Sequence, residues 1–258
     1  MTVAVLSTVC QLAVAEEESI ITDRPDFVES GAVVGKGRLQ IETSVAGLRN
    51  NADGVKERGR ATPTLFRYGV SDHWELRLET EGFLRARVTD TTRGRTVSES
   101  GFADVSVGAK WHMQDGDEHG KPAIAWLFHA DLDSGSSAFR GKGVRPSVRM
   151  VAEWELPDEY SLGVMPGFIV DKNDDNKRFV AGIAAVTVGK GWTDNFRTFI
   201  EVAGEQIASR KNGGSQVNYT AGMAYLITKA MQVDFAVSHG ANHDTPDWQW
   251  TAGFSIKF

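Results

Sequence analysis

Cysteine is almost missing: Cys10 is the single one among 258 residues. No disulfide can form within the chain, so a disulfide framework and paired-thiol chemistry are excluded. Long hydrophobic runs are missing too. No stretch approaches the roughly 18 consecutive apolar residues of a membrane helix, which excludes a helical membrane protein. Positive charge is in deficit, 28 Lys and Arg against 34 Asp and Glu, so nothing points to nucleic acid as a partner.

What the chain does have is a period of two. Its clearest case is 247–258, DWQWTAGFSIKF, where Trp248, Trp250, Ala252, Phe254, Ile256 and Phe258 alternate with Gln249, Thr251, Gly253, Ser255 and Lys257. That spacing puts the first set on one face of a β-strand. The apolar face runs to the last residue, where a soluble protein would expose an aggregation-prone edge. In an outer-membrane barrel the same strand closes on the first one and its apolar face meets lipid. An aromatic C-terminus with apolar residues at every second position, Phe254, Ile256 and Phe258, also resembles the signal read by the barrel-assembly machinery.

The same pattern recurs along the chain. Leu39, Ile41 and Val45 oppose Gln40, Glu42 and Ser44 in 38–48, and Phe66 and Tyr68 oppose Arg67 in 60–70. Trp74, Leu76 and Leu78 oppose Glu75, Arg77, Glu79 and Glu81; Val105, Val107, Ala109 and Trp111 oppose Asp104, Ser106 and Lys110. Further strands fall near 122–132, 145–155, 160–170, 178–188, 195–204, 216–226 and 231–239. The strand at 178–188 is apolar on both faces and does not declare its orientation. Polar loops are expected at 49–57, 88–100, 133–143, 171–177 and 205–215, and a longer turn at 112–121. The expectation is an all-β, up-and-down, antiparallel transmembrane barrel of about twelve strands over 37–258. Trp74, Trp111, Trp154, Tyr160, Trp192 and Trp248 lie near strand ends, as in interfacial girdles.

Residues 1–15, MTVAVLSTVCQLAVA, end in Ala13-Val14-Ala15 before an acidic run and read as a signal peptide without its basic start. Residues 16–36 are polar and broken by Pro25, unsuited to a wall strand, and read as a periplasmic lead-in or as a plug. Thr22-Asp23-Arg24-Pro25-Asp26-Phe27-Val28-Glu29-Ser30, then Arg67-Tyr68-Gly69-Val70-Ser71-Asp72-His73-Trp74-Glu75-Leu76-Arg77 and Gly101-Phe102-Ala103-Asp104-Val105-Ser106-Val107-Gly108-Ala109-Lys110-Trp111, form an ordered set. This set resembles the outer-membrane transporter family associated with meta-pathway phenol degradation. The resemblance implies hydrophobic or aromatic cargo and draws attention to Asp23, Arg24 and Asp26.

If the apolar faces meet lipid, the charged faces line the lumen, where acids and bases must pair across strands. Arg67, Glu75, Arg77, Glu79, Arg145, Arg149 and Glu201 are candidates to line a path, or else they brace the wall. Asp23, Arg24 and Asp26 are candidates for a gate that pairs with them. His129 with Asp131 could be drawn into a hydrolytic triad, yet no nucleophile motif supports it. Asp171-x-Asn173-x-Asp175 lacks the glycine and glutamate of a calcium loop, and His239 and His243 sit at a strand end, not on a helix. No enzyme activity, metal or cofactor is expected. The reading is passive passage of small molecules across the outer membrane of a Gram-negative bacterium. Its partners would be outer-membrane lipid and an unidentified small-molecule cargo. The alternatives are a closed barrel with a binding or scaffold role, and a soluble β-sandwich.

Overall fold

A computed structural model describes residues 19–258. The expected signal peptide at 1–15 lies outside the described residues. The strands are β1 (Leu39–Ala52), β2 (Val55–Ala61), β3 (Thr64–Gly69), β4 (Trp74–Thr80), β5 (Phe83–Asp90), β6 (Arg95–Phe102), β7 (Val105–Gln114) and β8 (Ala123–Asp131). They continue as β9 (Arg145–Leu156), β10 (Tyr160–Lys172), β11 (Arg178–Thr193), β12 (Phe196–Ile207), β13 (Gln216–Thr228), β14 (Met231–Gly240) and β15 (Trp248–Lys257). Neighbours are antiparallel throughout, and β15 returns to pair with β1 from Gln40↔Lys257 to Arg49↔Trp248. The result is a closed barrel of twelve strands, without a free edge around the wall. The soluble β-sandwich is thereby overturned, since one sheet closes on itself and turns its apolar face outward.

Three of the twelve are each split in two. The bends at Thr62-Pro63, Glu81-Gly82 and Ala103-Asp104 separate β2 from β3, β4 from β5 and β6 from β7. Below the bends β3, β4 and β7 belong to the barrel; beyond them β2, β5 and β6 extend from β1 as a sheet of their own. The expected loops at 49–57 and 88–100 are therefore strand, turning only at Asp53-Gly54 and at 91–94. Their polar residues suggested loops because hydropathy marks only strands with an apolar face. A strand beyond the lipid has no need of one.

The faces follow the sequence period. Outward positions leave large hydrophobic residues exposed, Ile200 at 64% and Val180 at 63%, while inward Arg67, Glu75 and Lys110 are fully buried. The orientation of β11 is settled by the same measure: Val180, Val186 and Val188 point out, and Ala181, Ile183 and Ala185 point in. Trp74 stacks on Trp111 at 5.8 Å near the end that carries both termini. Turns at that end are short: 70–73, 157–159, 194–195 and 229–230. The 115–122 connection is the longer one, and the opposite end carries 132–144, 208–215 and 241–247.

Arg placed at outward Val107 or Ile200 should cost about 2–4 kcal/mol near the bilayer midplane. The same change at inward Gln249, which borders a cavity, should be close to neutral. Folding yield into lipid vesicles would measure the difference, and equal yields would refute the assigned faces.

Candidate functional site: the lumen and its N-terminal segment

Residues 19–38 form neither helix nor strand, and they run inside the barrel. A segment without regular structure must find partners for its backbone groups elsewhere. Here the wall supplies them with charged side chains. Glu42 accepts from the amides of Asp23 (3.0 Å) and Arg24 (3.2 Å), and Glu201 from those of Phe27 (3.0 Å) and Val28 (2.8 Å). Glu153 accepts from Gly31 N, and Glu75 from Val34 N at 3.0 Å. Wall cations take the carbonyls. Arg67 donates to Ile21 O (3.1 Å) and Ala32 O (2.9 Å), Lys110 to Ser30 O (2.9 Å), and Arg197 to Arg24 O (3.2 Å).

The segment's own carboxylates complete the network. Asp23 is buried between Arg77 Nη1 (2.6 Å), Lys110 Nζ (2.8 Å) and Arg67 Nη1 (3.3 Å), and it also receives the amide and hydroxyl of Ser30. Burial would raise its pKa, but Arg67, Lys110 and Arg77 outweigh that and hold it well below the usual carboxylate range. Glu29 pairs with Arg77 at 2.7 Å and with Arg149 at 2.9 Å; Asp26 pairs with Arg197 at 2.9 Å. Arg24 reaches Asp234 (3.2 Å) and Thr251 (2.7 Å).

Packing is as specific as the charges. Val28 is buried in an apolar cluster with Ala125, Leu127, Val151, Met165, Ala185 and Ala203, where the three alanines make room for the segment. Gly253 leaves space that a Cβ would take from Asp234 and Arg24, with contacts of 2.6 and 2.7 Å. At Gly69 a Cβ would fall 1.8 Å from the carbonyl oxygen of Gly35, where the segment leaves the lumen for β1.

The expected site residues thus fall into two groups. Arg67, Glu75, Arg77 and Glu201 are buried and hold the segment or one another, as do Asp23, Arg24 and Asp26 on the segment itself. Arg149 and Glu79 border open space. Arg145 lies apart from the segment, pairing with Asp104, whose carboxylate also gathers the amides of Ser134, Gly135 and Gly141 and so anchors the 132–144 loop. His129 is buried, and its Nε2 accepts from Arg77 Nε at 3.2 Å. The candidate sets omitted Glu29, Glu42, Lys110, Glu153 and Arg197. Glu42, Lys110, Glu153 and Arg197 occupy inward positions of the period-two pattern, which was the available signal; nothing local marked Glu29.

Two cavities flank the segment, and Asp23 and Asp26 border both. One, about 410 Å³, lies toward the termini among Glu153, Ser161, Thr187, Asn195 and Gln232. The other, about 420 Å³, lies toward the long loops among Glu29, Glu79, Glu81, Arg149, Glu205 and Gln249. Beyond it a third cavity of about 320 Å³ is lined by Leu48, Ala61, Leu84, Ala86, Phe139 and Trp250; Glu81, Ser238 and Gln249 border both of these.

The family model described as "Putative MetA-pathway of phenol degradation" matches residues 22–258, the barrel and nearly all of its inner segment. The chain belongs to this family. Among solved structures it is similar to an outer membrane channel from Pseudomonas putida F1, with TM-score 0.63, 11% identity, and 89% of this chain and 98% of that chain covered. It is also similar to the KdgM porin solved with disordered oligogalacturonate, with TM-score 0.55, 10% identity, and coverage of 85% and 99%. The β domain of the Bordetella autotransporter BrkA gives TM-score 0.57, 11% identity, and coverage of 86% and 99%. At these identities the likeness is one of fold. No curated protein sequence matches the chain.

Asp23→Asn should release the segment. Breaking a buried ion pair from one side costs about 3–5 kcal/mol, because the remaining charges stay buried unpaired. Asp26→Asn should cost much less, since the Arg197 side chain is 36% exposed and can be solvated. Denaturant unfolding and protease cleavage within residues 19–34 would measure both, and equal effects would contradict the central place of Asp23.

Proposed function

We propose that this family member is an outer-membrane channel for passive passage of small molecules, throttled by residues 19–34 in its lumen. The observation that carries the reading is the pair of polar-lined cavities on either side of the segment, both bordered by Asp23 and Asp26. Only a short, irregular piece of chain separates them. Loop lengths support an orientation with the termini in the periplasm and 132–144, 208–215 and 241–247 outside. Glu79, Glu81, Arg149 and Glu205 would line the path, whereas Arg67, Glu75, Arg77 and Glu201 would position the segment.

Aromatic cargo fits the order of compartments met from outside. The outer cavity is apolar, is lined by Leu48, Leu84 and Phe139, and is large enough for a single substituted ring; the next offers hydrogen-bonding carboxylates. The family description is the second support. A closed barrel with a binding role is the other reading, favoured by how completely the wall satisfies the segment. No step of either reading asks for bond chemistry.

Single-channel recording separates them. The purified chain in a planar bilayer should show small openings, reduced by millimolar phenol or benzoate. Conductance should rise several-fold in Asp23→Asn and in a chain lacking residues 19–34. A folded barrel silent in all three forms would establish the closed reading instead.

A further inference from the structure

The sheet of β2, β5 and β6 with the far half of β1 has two faces of opposite charge. Cross-strand partners share a face, so Arg49, Arg58 and Arg87 form one row, Arg60 and Arg85 the next, and Lys56 stands beside Asn51 and Thr89. This is the outward face, because Gly47 and Arg49 on it pair with the outward Trp250 and Trp248 of β15. The sheet's acids, Glu57, Asp90 and Glu99, all fall on the opposite, inward face. The outward positions of β6 are Thr96, Ser98, Ser100 and Phe102, so that face carries no carboxylate.

Like charges directly opposite in a sheet repel, and here Arg49–Arg58, Arg58–Arg87 and Arg60–Arg85 are all direct partners. The lumen shows how this chain treats such a pair. Arg67 and Arg77 are also direct partners, and Asp23 and Glu75 contact both. On the outer face all six cations are exposed, and among the described residues none has a side-chain ion pair or hydrogen bond. The face is an arginine lattice whose counter-charge, an anion, the protein itself does not supply.

Its height indicates what that anion is. Phe83 and Phe102, packed edge to face at 5.7 Å and exposed, end the outward apolar band on these strands. Arg85 follows Phe83 by two residues and Arg87 by four, about 7 and 13 Å along the strand. With the usual tilt this puts them about 5 to 10 Å above the hydrocarbon, the depth of a headgroup layer. Guanidinium groups grip phosphate bidentately, and their stems can lie along apolar surface.

We propose that this face binds the phosphate of an anionic lipid headgroup in the outer leaflet, with Arg58, Arg60, Arg85 and Arg87 as its ligands. The inference rests on the periplasmic placement of the termini and on nothing about conduction, so a silent channel would leave it standing.

The full chain, folded in detergent and passed through phosphatidylcholine vesicles containing bisphosphorylated lipid A, should retain that lipid by native mass spectrometry. Retention should fall about tenfold in R58Q/R60Q/R85Q/R87Q and with monophosphoryl lipid A, and the matching lysine variant should keep an intermediate share. Heat-modifiable mobility on gels would verify that each variant is a folded barrel. Equal retention by the glutamine variant, equal retention of the monophosphoryl lipid, or displacement by equimolar inorganic phosphate would each overturn the proposal.

Discussion

A buried charge must be paired or neutralised, and in this barrel that rule is met across two pieces of chain. The wall around the lumen carries Arg67, Arg77 and Lys110 within reach of one point, and Glu42 and Glu75 by themselves would leave one positive charge in excess. Asp23 fills that point. In return the wall carboxylates Glu42, Glu75, Glu153 and Glu201 satisfy amides of a segment with no hydrogen-bonding pattern of its own. Neither half is complete alone. An empty lumen would leave cations crowded in a low-dielectric space, and a free segment would have only water for its backbone.

The division of labour runs around the whole lumen. Charged residues hold the segment from both sides, Glu42, Arg67, Arg77 and Lys110 on β1, β3, β4 and β7 and Glu153, Arg197 and Glu201 on β9 and β12. Between them Val28 meets Ala125, Leu127, Val151, Met165, Ala185 and Ala203. The three alanines there are sparse side chains that leave room for it. The same sparseness on the inner face of β11, together with valines outside, is what hid the orientation of 178–188 in the sequence.

Much of the fold was legible because lipid imposes one constraint on every wall strand, an apolar outer face at every second position. Leu76, Val107, Phe128 and Phe254 announce it without any knowledge of neighbours. Where lipid ends, so does the signal. The charged strands β2, β5 and β6 obey the same alternation in charge, with every acid and Arg95 inward and the other cations outward, but a hydropathy pattern does not register it. The seat of the inner segment was legible only in part. Asp23, Arg24 and Asp26 stood out in a stretch unfit for a wall strand, yet their partners lie up to 227 residues away, as for Arg24 and Thr251. No local spacing encodes such a pairing.

Arginine is used in two opposite ways on one sheet, and the contrast separates structure from recognition. At Arg67 and Arg77 the protein supplies the counter-charge itself, at fixed distances and out of water, so the pair serves the fold. At Arg58 and Arg87 it supplies none, although Glu57, next to Arg58 on β2, and Glu99, next to Arg87's partner Ser98 on β6, lie one residue from where they could have done so. A solvated face that served only solubility would mix signs, since mixed charge avoids the repulsion at no loss of hydration. Gathering six cations and no acid on one face carries a standing cost unless an external anion offsets it. That unmixed outer face therefore favours a bound partner over incidental surface charge.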